Sequence, residues 1–292
     1  MKVIDALKKG KPTLSFEFFP PKTPEKEKHL FEVISQLKAF HPDFVSVTYG
    51  ALGTTREKTF HWVKEIKQKF KIEPVAHLTC VAATRESIRE QIAELEEMGI
   101  INILALRGDP PEGTPEFTPA PDGFKLAKDL IAFIKKHHPE FCLGGAGFPE
   151  GHRDVPNLEL DTQYLKEKIG AGAEYIITQL FFDNAFYFNL VERAKNMGIV
   201  VPIVPGVMPI TSLNQIKKMT KICGATIPPK LMERIEKAGD DNEAIQEIGV
   251  EQAVAQCKEL LAAKVPGLHF FVMNQAGPIS RILKEIKFGH PR

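Results

Sequence analysis

The sequence predicts a (β/α)8 barrel with extra helices near its carboxyl end, formed as one domain over residues 1–292. Three observations carry this prediction. Eight short β-rich segments alternate with longer, charged amphipathic segments. The length of 292 residues suits one barrel of about 250 residues with additions. Unusual polar residues recur where the predicted strands end, which is where this fold places its functional groups.

Each predicted strand is a short run of branched and aromatic residues bounded by turn-forming residues. The predicted strands cover residues 13–19, 44–49, 75–80, 102–106, 141–145, 175–180, 200–205 and 268–273. The segments between them show helical periodicity. Thr23 precedes Pro24 and Glu25, a typical helix start. The predicted helices cover residues 25–40, 57–70, 86–98, 125–137, 162–171, 185–197, 213–221, 230–238, 243–263 and 279–286.

A doubly wound open sheet is the rival architecture. It would need a phosphate-binding glycine turn directly after an early strand. The glycines from Gly144 to Gly151 resemble that turn only loosely, and they lie in the middle of the chain. The barrel is therefore favoured. The proline-rich stretch 110–121 is predicted to be a long loop after the fourth strand.

Composition limits the classes of function. The chain is 43% apolar and 26% charged with a net charge of +1, so nothing indicates a nucleic-acid partner. No apolar run reaches the roughly 20 residues that a membrane-spanning helix needs. The four cysteines are scattered, which predicts reduced thiols rather than disulfides or a metal site. We expect a soluble cytoplasmic protein without a metal.

Glu17 is the most informative residue, because it interrupts an apolar strand. Alternation directs Leu14, Phe16 and Phe18 to one face and Glu17 to the other. A buried carboxylate is costly unless it is paired, hydrogen-bonded or protonated. A carboxyl group kept neutral near pH 7 is a proton donor. The alternative is a solvated glutamate at a strand end, and the polar residues at the other strand ends favour the functional interpretation.

These other residues form one predicted rim. A barrel interior is normally filled by branched apolar side chains, so their recurrence is hard to explain by stability alone. The sequence shows neither histidine and carboxylate at metal-ligand spacing nor a Ser–His–Asp set. One acid with amide and hydroxyl groups suits an organic cofactor that the protein binds and orients. The rim residues are Glu17, Thr48, His77, Arg107, Asp109, His152 and Gln179.

The motifs resemble those of the 5,10-methylenetetrahydrofolate reductases, in the short bacterial form without a regulatory domain. SFEFFPPKT (15–23) and ITQLFFD (177–183) are the specific matches, and LRGDP (106–110) and FPEGH (148–152) follow the family order. The resemblance implies a flavin-dependent barrel of one-carbon and methionine metabolism. NADH or NADPH would reduce a non-covalent FAD, which would then reduce methylenetetrahydrofolate to 5-methyltetrahydrofolate.

The resemblance also implies residue roles. Glu17 matches the general acid, Asp109 the acid near pterin and flavin, and Gln179 the amide that contacts folate. Phe271 and Gln275 match substrate-binding positions. The positions that match cofactor contacts are Thr48, His77, Arg107, Gly108, Asp109, Ala146, Phe148, His152, Asp161 and Lys168.

Some positions depart from the family pattern. Glu167 stands where a basic residue is expected beside Lys168, and Phe148 stands where tyrosine is common. Leu213 replaces an aromatic residue. Phe271 replaces tyrosine, and Gln275 replaces an arginine that helps to hold folate. These changes bear on affinity for the substrate more than on the type of reaction.

Two other functions stay open. A relative of proline dehydrogenase would need a pair of arginines near the carboxyl end, where Arg281 is the only arginine before Arg292. A flavin- or folate-binding barrel subunit would work with a separate electron-donor partner. The resemblance suggests a homo-oligomer. The sequence decides neither between NADH and NADPH nor whether a donor subunit is needed.

Overall fold

Eight parallel strands pair in chain order and close into a barrel, with β8 pairing back to β1. This computed structural model describes residues 1–21, 23–48, 56–108 and 117–288. The predicted (β/α)8 barrel is confirmed. The strands are β1 (Thr13–Phe18), β2 (Phe44–Val47), β3 (Glu73–Thr79), β4 (Asn102–Leu106), β5 (Cys142–Gly147), β6 (Tyr175–Leu180), β7 (Ile203–Val207) and β8 (Gly267–Phe271).

The helices surround the barrel, and three of them lie between β7 and β8. α3 continues into a π-helical turn at Ile66–Phe70. The helices are α1 (Val3–Leu7), α2 (Pro24–Lys38), α3 (Arg56–Glu65), α4 (Arg85–Glu97), α5 (Ala127–His137), α6 (Leu158–Gly170), α7 (Asn184–Asn196), α8 (Leu213–Cys223), α9 (Pro229–Ala238), α10 (Asn242–Ala262) and α11 (Ala276–Glu285).

Several predicted boundaries differ from the observed ones, and two of the differences have a clear local cause. The strand predicted at 200–205 begins later, because Val200 is 92% exposed and Pro202 has no N–H to donate. The helix predicted from residue 162 begins at Leu158, because the Asn157 side chain accepts the Leu160 N–H at 2.9 Å and caps it. The short helix α1 was not predicted.

The alternation predicted for β1 holds in the structure. Leu14, Phe16 and Phe18 are buried in the apolar layer between the barrel and its helices. Ser15 and Glu17 project into the barrel, where they meet residues of β2, β3 and β8. The inner face of the barrel mouth therefore carries polar groups, whereas its outer face is apolar.

The opposite end of the barrel is closed by apolar side chains. Val3, Ile4 and Leu7 of α1 pack in one cluster with Phe44 and Tyr175 from the barrel interior. This packing fills the lower end of the barrel interior. Within the described residues, no helix is long and apolar enough to cross a membrane.

Candidate active site

Glu17 lies at the centre of a buried polar cluster near the carboxyl end of β1. Its side-chain Oε2 is 3.5 Å from His77 Nε2 and 3.4 Å from His269 Nε2. Ser46 donates its hydroxyl to the same oxygen at 3.3 Å. Glu17 itself is only 8% exposed. Three strands next to β1 or near it thus supply polar partners for one buried carboxyl group.

The protonation state expected for Glu17 was wrong. Burial raises the pKa of the Glu17 carboxyl, but His77, His269 and Ser46 outweigh it, so this pKa lies below its ordinary value. Burial also lowers the pKa of His77. The carboxyl is therefore ionised at neutral pH in this arrangement. The sequence predicted that Glu17 is buried, but it did not reveal the partners that lower its pKa.

His269, Ser46 and Ser15 are members of this cluster that sequence reasoning did not single out. Ser15 Oγ is 2.9 Å from His269 Nδ1, so the imidazole is held between Ser15 and Glu17. The ring of Phe271 packs edge-on against His269 at 5.4 Å. A period-two reading of β8 would have placed His269 and Phe271 on one inner face.

A second cluster lies along β5 and α6. Lys168 Nζ donates to the Ala146 carbonyl at 2.5 Å and lies 5.7 Å from the centre of the Phe148 ring. Burial lowers the pKa of Lys168 to about 8, although Asp161 opposes this shift. Asp161 accepts the His152 N–H at 3.3 Å, and burial raises the Asp161 pKa. The structure thus brings these five predicted residues together.

Arg107 and Gly108 follow β4 beside this second cluster. Arg107 Nη2 pairs with Asp154 Oδ2 at 3.0 Å, a partner that the sequence did not reveal. Gly108 has φ of +81°, and an added Cβ would lie 2.6 Å from Val81 Cγ2. Glycine is required at this turn because a side chain would meet both a strained backbone and a neighbour.

The remaining predicted residues line the mouth separately. Thr48 lies just after β2 and bonds to the Phe18 carbonyl through its hydroxyl at 3.3 Å. The Gln179 side-chain carbonyl accepts its neighbouring Leu180 N–H at 2.9 Å. Gln275 lines a polar cavity of about 320 Å³ together with residues from the starts of α8 and α10. Asp109 lies outside the described residues.

The fold and its mouth define a (β/α)8 barrel with a buried acid and a neighbouring group of cations at the carboxyl ends of its strands. The chain belongs to the methylenetetrahydrofolate reductase family, whose model matches residues 2–287. This membership agrees with the resemblance in the motifs.

Several curated relatives are similar along most of the chain. Methylenetetrahydrofolate reductase 1 of Schizosaccharomyces pombe is 37% identical over 98% of this chain. The chain spans 48% of that protein, about half the length of the first relatives it matches. The 5,10-methylenetetrahydrofolate reductase of Pectobacterium carotovorum is 36% identical, with 91% of this chain and 87% of that protein covered.

A solved structure supports the fold alone. It is described as an uncharacterized protein from Clostridium thermocellum that binds two copies of 5-methyl-5,6,7,8-tetrahydrofolic acid. The TM-score is 0.68 at 18% identity, with 97% of this chain and 96% of that chain covered. At this identity the likeness describes the barrel and not its ligand.

Proposed function

We propose that this chain reduces 5,10-methylenetetrahydrofolate to 5-methyltetrahydrofolate, with NADH or NADPH as the reductant and a non-covalent FAD as the cofactor. Family membership supports the reaction. A relative in Arabidopsis thaliana carries NADH in its name, which supports a nicotinamide reductant. The structural neighbour binds 5-methyl-5,6,7,8-tetrahydrofolic acid, which is the product of the proposed reaction.

The observation that carries the proposal is the buried Glu17 cluster. Opening the five-membered ring of the substrate requires a proton at the departing nitrogen, so the reaction needs a proton donor inside the mouth. Glu17 is the acid of the described barrel interior, with His77 and His269 within 3.5 Å of one oxygen. Once it is protonated, the Glu17 carboxyl supplies the proton that ring opening needs.

The residues of the second cluster fit FAD. Its diphosphate is an anion, and Lys168 and Arg107 offer partly buried cations. His77 Nε2 is buried without a hydrogen bond within the described chain, which leaves a polar group for an occupant of the mouth. FAD would supply hydride transfer between nicotinamide and folate.

The chain's own residues would bind, orient and protonate. Because the Glu17 carboxyl is ionised in this arrangement, it gains a proton before it can donate one, and the imidazoles of His77 and His269 lie beside it. Bound aromatic rings would exclude water from the mouth and favour the neutral carboxyl. We assign Gln179, Phe271 and Gln275 to the substrate. Asp109 is proposed to act near the pterin.

An absorption experiment tests the proposal directly. The purified protein, loaded with FAD, is mixed anaerobically with NADH or NADPH and then with methylenetetrahydrofolate. Bleaching by the nicotinamide and recovery of colour with the folate would support both half-reactions. A protein that cannot be loaded with FAD would contradict the flavoenzyme proposal. Loaded protein that ignores nicotinamide but accepts chemical reduction would favour the separate electron-donor partner.

Glu17 is the proposed proton donor for folate reduction. Glu17→Gln removes the acid but keeps its size, so folate reduction should fall by about 100- to 10,000-fold. Flavin reduction by the nicotinamide should stay near the wild-type rate, because that step needs no proton at the departing nitrogen. Stopped-flow absorbance separates the two half-reactions. Equal rates of folate reduction in the variant and the wild type would remove Glu17 from this role.

Other properties stay predictions. A homo-oligomer follows from the resemblance and a cytoplasmic location from the composition, whereas the choice between NADH and NADPH stays open. Sedimentation of the purified protein measures the first, and parallel reductions with the two nicotinamides measure the last.

A further inference from the structure

Asp154 places a carboxylate against the cations of the proposed diphosphate site. It lies on the turn between β5 and α6, and its side chain is 49% exposed. Its Oδ2 is 3.0 Å from Arg107 Nη2 and 3.8 Å from His152 Nδ1. Its Oδ1 is 3.7 Å from Arg153 Nε. The Asp154 carboxylate therefore lies between the guanidinium groups of Arg107 and Arg153.

The Arg107 guanidinium is already engaged by this carboxylate. Its Nη2 donates to Asp154, and its Nε donates to the Gly108 carbonyl at 3.4 Å. The hydrogen bond from Arg107 lowers the pKa of Asp154, so the carboxylate is charged at neutral pH. An incoming phosphate would seek the same guanidinium, since arginine binds both anions through the same edge.

The Asp154 side chain can move away from Arg107, because its surroundings hold it only weakly. The residue sits on an exposed turn rather than on a strand, and its backbone N–H donates to His152 Nδ1 at 3.1 Å. A half-exposed ion pair is weak, because water screens it. The carboxylate can therefore be displaced at small cost, whereas a phosphate placed beside it would be repelled.

We propose that Asp154 is a built-in competitor for the cofactor's diphosphate at Arg107, so that binding of FAD requires release of the Arg107–Asp154 pair. The inference rests on the proposed function, since it takes the FAD diphosphate as the competing anion. It assigns Asp154 a role in setting cofactor affinity, separate from the roles of the residues that hold FAD.

The test compares FAD dissociation constants, measured from flavin fluorescence. Asp154→Asn removes the charge and keeps the shape, so FAD should bind about two- to tenfold more tightly than to the wild type. Asp240→Asn is the matched control, because it removes one exposed carboxylate on the turn before α10. The control should leave the dissociation constant unchanged. Asp154→Ser repeats the test if the asparagine variant folds poorly.

A double variant separates competition from general repulsion. In the Arg107→Gln background, Asp154→Asn should no longer tighten binding, because the contested guanidinium is gone. Tightening that persists there would overturn competition at Arg107. Weaker or unchanged FAD binding in the single Asp154→Asn variant would overturn the inference while the proposed function stands. Failure of the wild type to bind FAD at all would overturn both.

Discussion

At the scale of single residues, the site centres on the protonation state of Glu17. Glu17 is buried by its own strand, yet its ionisation is decided by residues distant in sequence. His77, His269 and Ser46 come from three other strands and lower its pKa together. A residue's position in a strand predicts its burial, whereas its pKa depends on the side chains that closure of the barrel brings near.

The pH dependence of FAD binding should follow Lys168. Burial lowers its pKa to about 8, and a bound diphosphate favours the charged ammonium. The dissociation constant should therefore rise as the pH increases above about 8, by at most about tenfold per pH unit for one proton. Titrations between about pH 6.5 and about 9.5 measure this dependence.

Two variants make this test specific. Lys168→Gln should bind FAD more weakly and show no such rise, whereas Lys166→Gln changes an exposed lysine of the same helix and should behave like the wild type. His152 does not interfere, because burial lowers its pKa below its ordinary value. A rise of unchanged size in Lys168→Gln would assign the titration to another group.

At the level of elements, the loop after β8 is fastened to the end of β1 by one side chain. Asn274 accepts the Phe19 N–H at 3.0 Å and donates to the Phe19 carbonyl at 2.9 Å. Its φ of +54° is a left-handed conformation that asparagine tolerates better than most residues. This clamp continues the pairing of β8 with β1 beyond the strands.

Asn274→Ala should therefore lower the free energy of unfolding by about 1–3 kcal/mol. It removes two hydrogen bonds and leaves alanine in a strained conformation. Denaturant unfolding followed by circular dichroism measures the change. Asn189→Ala alters an exposed asparagine of α7 and should cost almost nothing. Equal stability of the two variants would show that the clamp contributes nothing to folding.

The element order was predictable because each strand and helix carries its own pattern. β4 and β6 occupy the predicted residues, 102–106 and 175–180. The start of α6 was missed because a single cap, Asn157, outweighed the periodicity that begins later. Local patterns determine which elements exist, and individual caps and prolines determine where they begin.

At the scale of the whole molecule, the closed barrel sets what its interior can hold. Gly144 and Gly145 are neighbours in β5 but face opposite sides. A Cβ on Gly144 would lie 2.4 Å from Cζ of Tyr175, whereas one on Gly145 would meet Ile176 Cδ1 at an ordinary 3.4 Å. At Gly144 the barrel interior is therefore filled by the Tyr175 ring, whereas at Gly145 the layer outside the barrel has room for a methyl group.

Gly144→Ala should consequently destabilise the protein by about 1–3 kcal/mol, because an extra methyl group overpacks the barrel interior. Gly145→Ala is the matched control and should be nearly neutral. The difference in denaturation midpoint between the two variants measures this. A Gly144→Ala variant as stable as its control would mean that Tyr175 moves aside at no cost.

The sequence by itself determined the order of strands and helices, the barrel and the burial of Glu17, because these depend on short-range periodicity. It also placed Lys168, His152 and Asp161 in neighbouring segments. Only the tertiary structure decided the partners of Glu17 and the pairing of Arg107 with Asp154. Those contacts join residues 29 to 252 positions apart, and closure of the barrel alone brings them within a few ångströms.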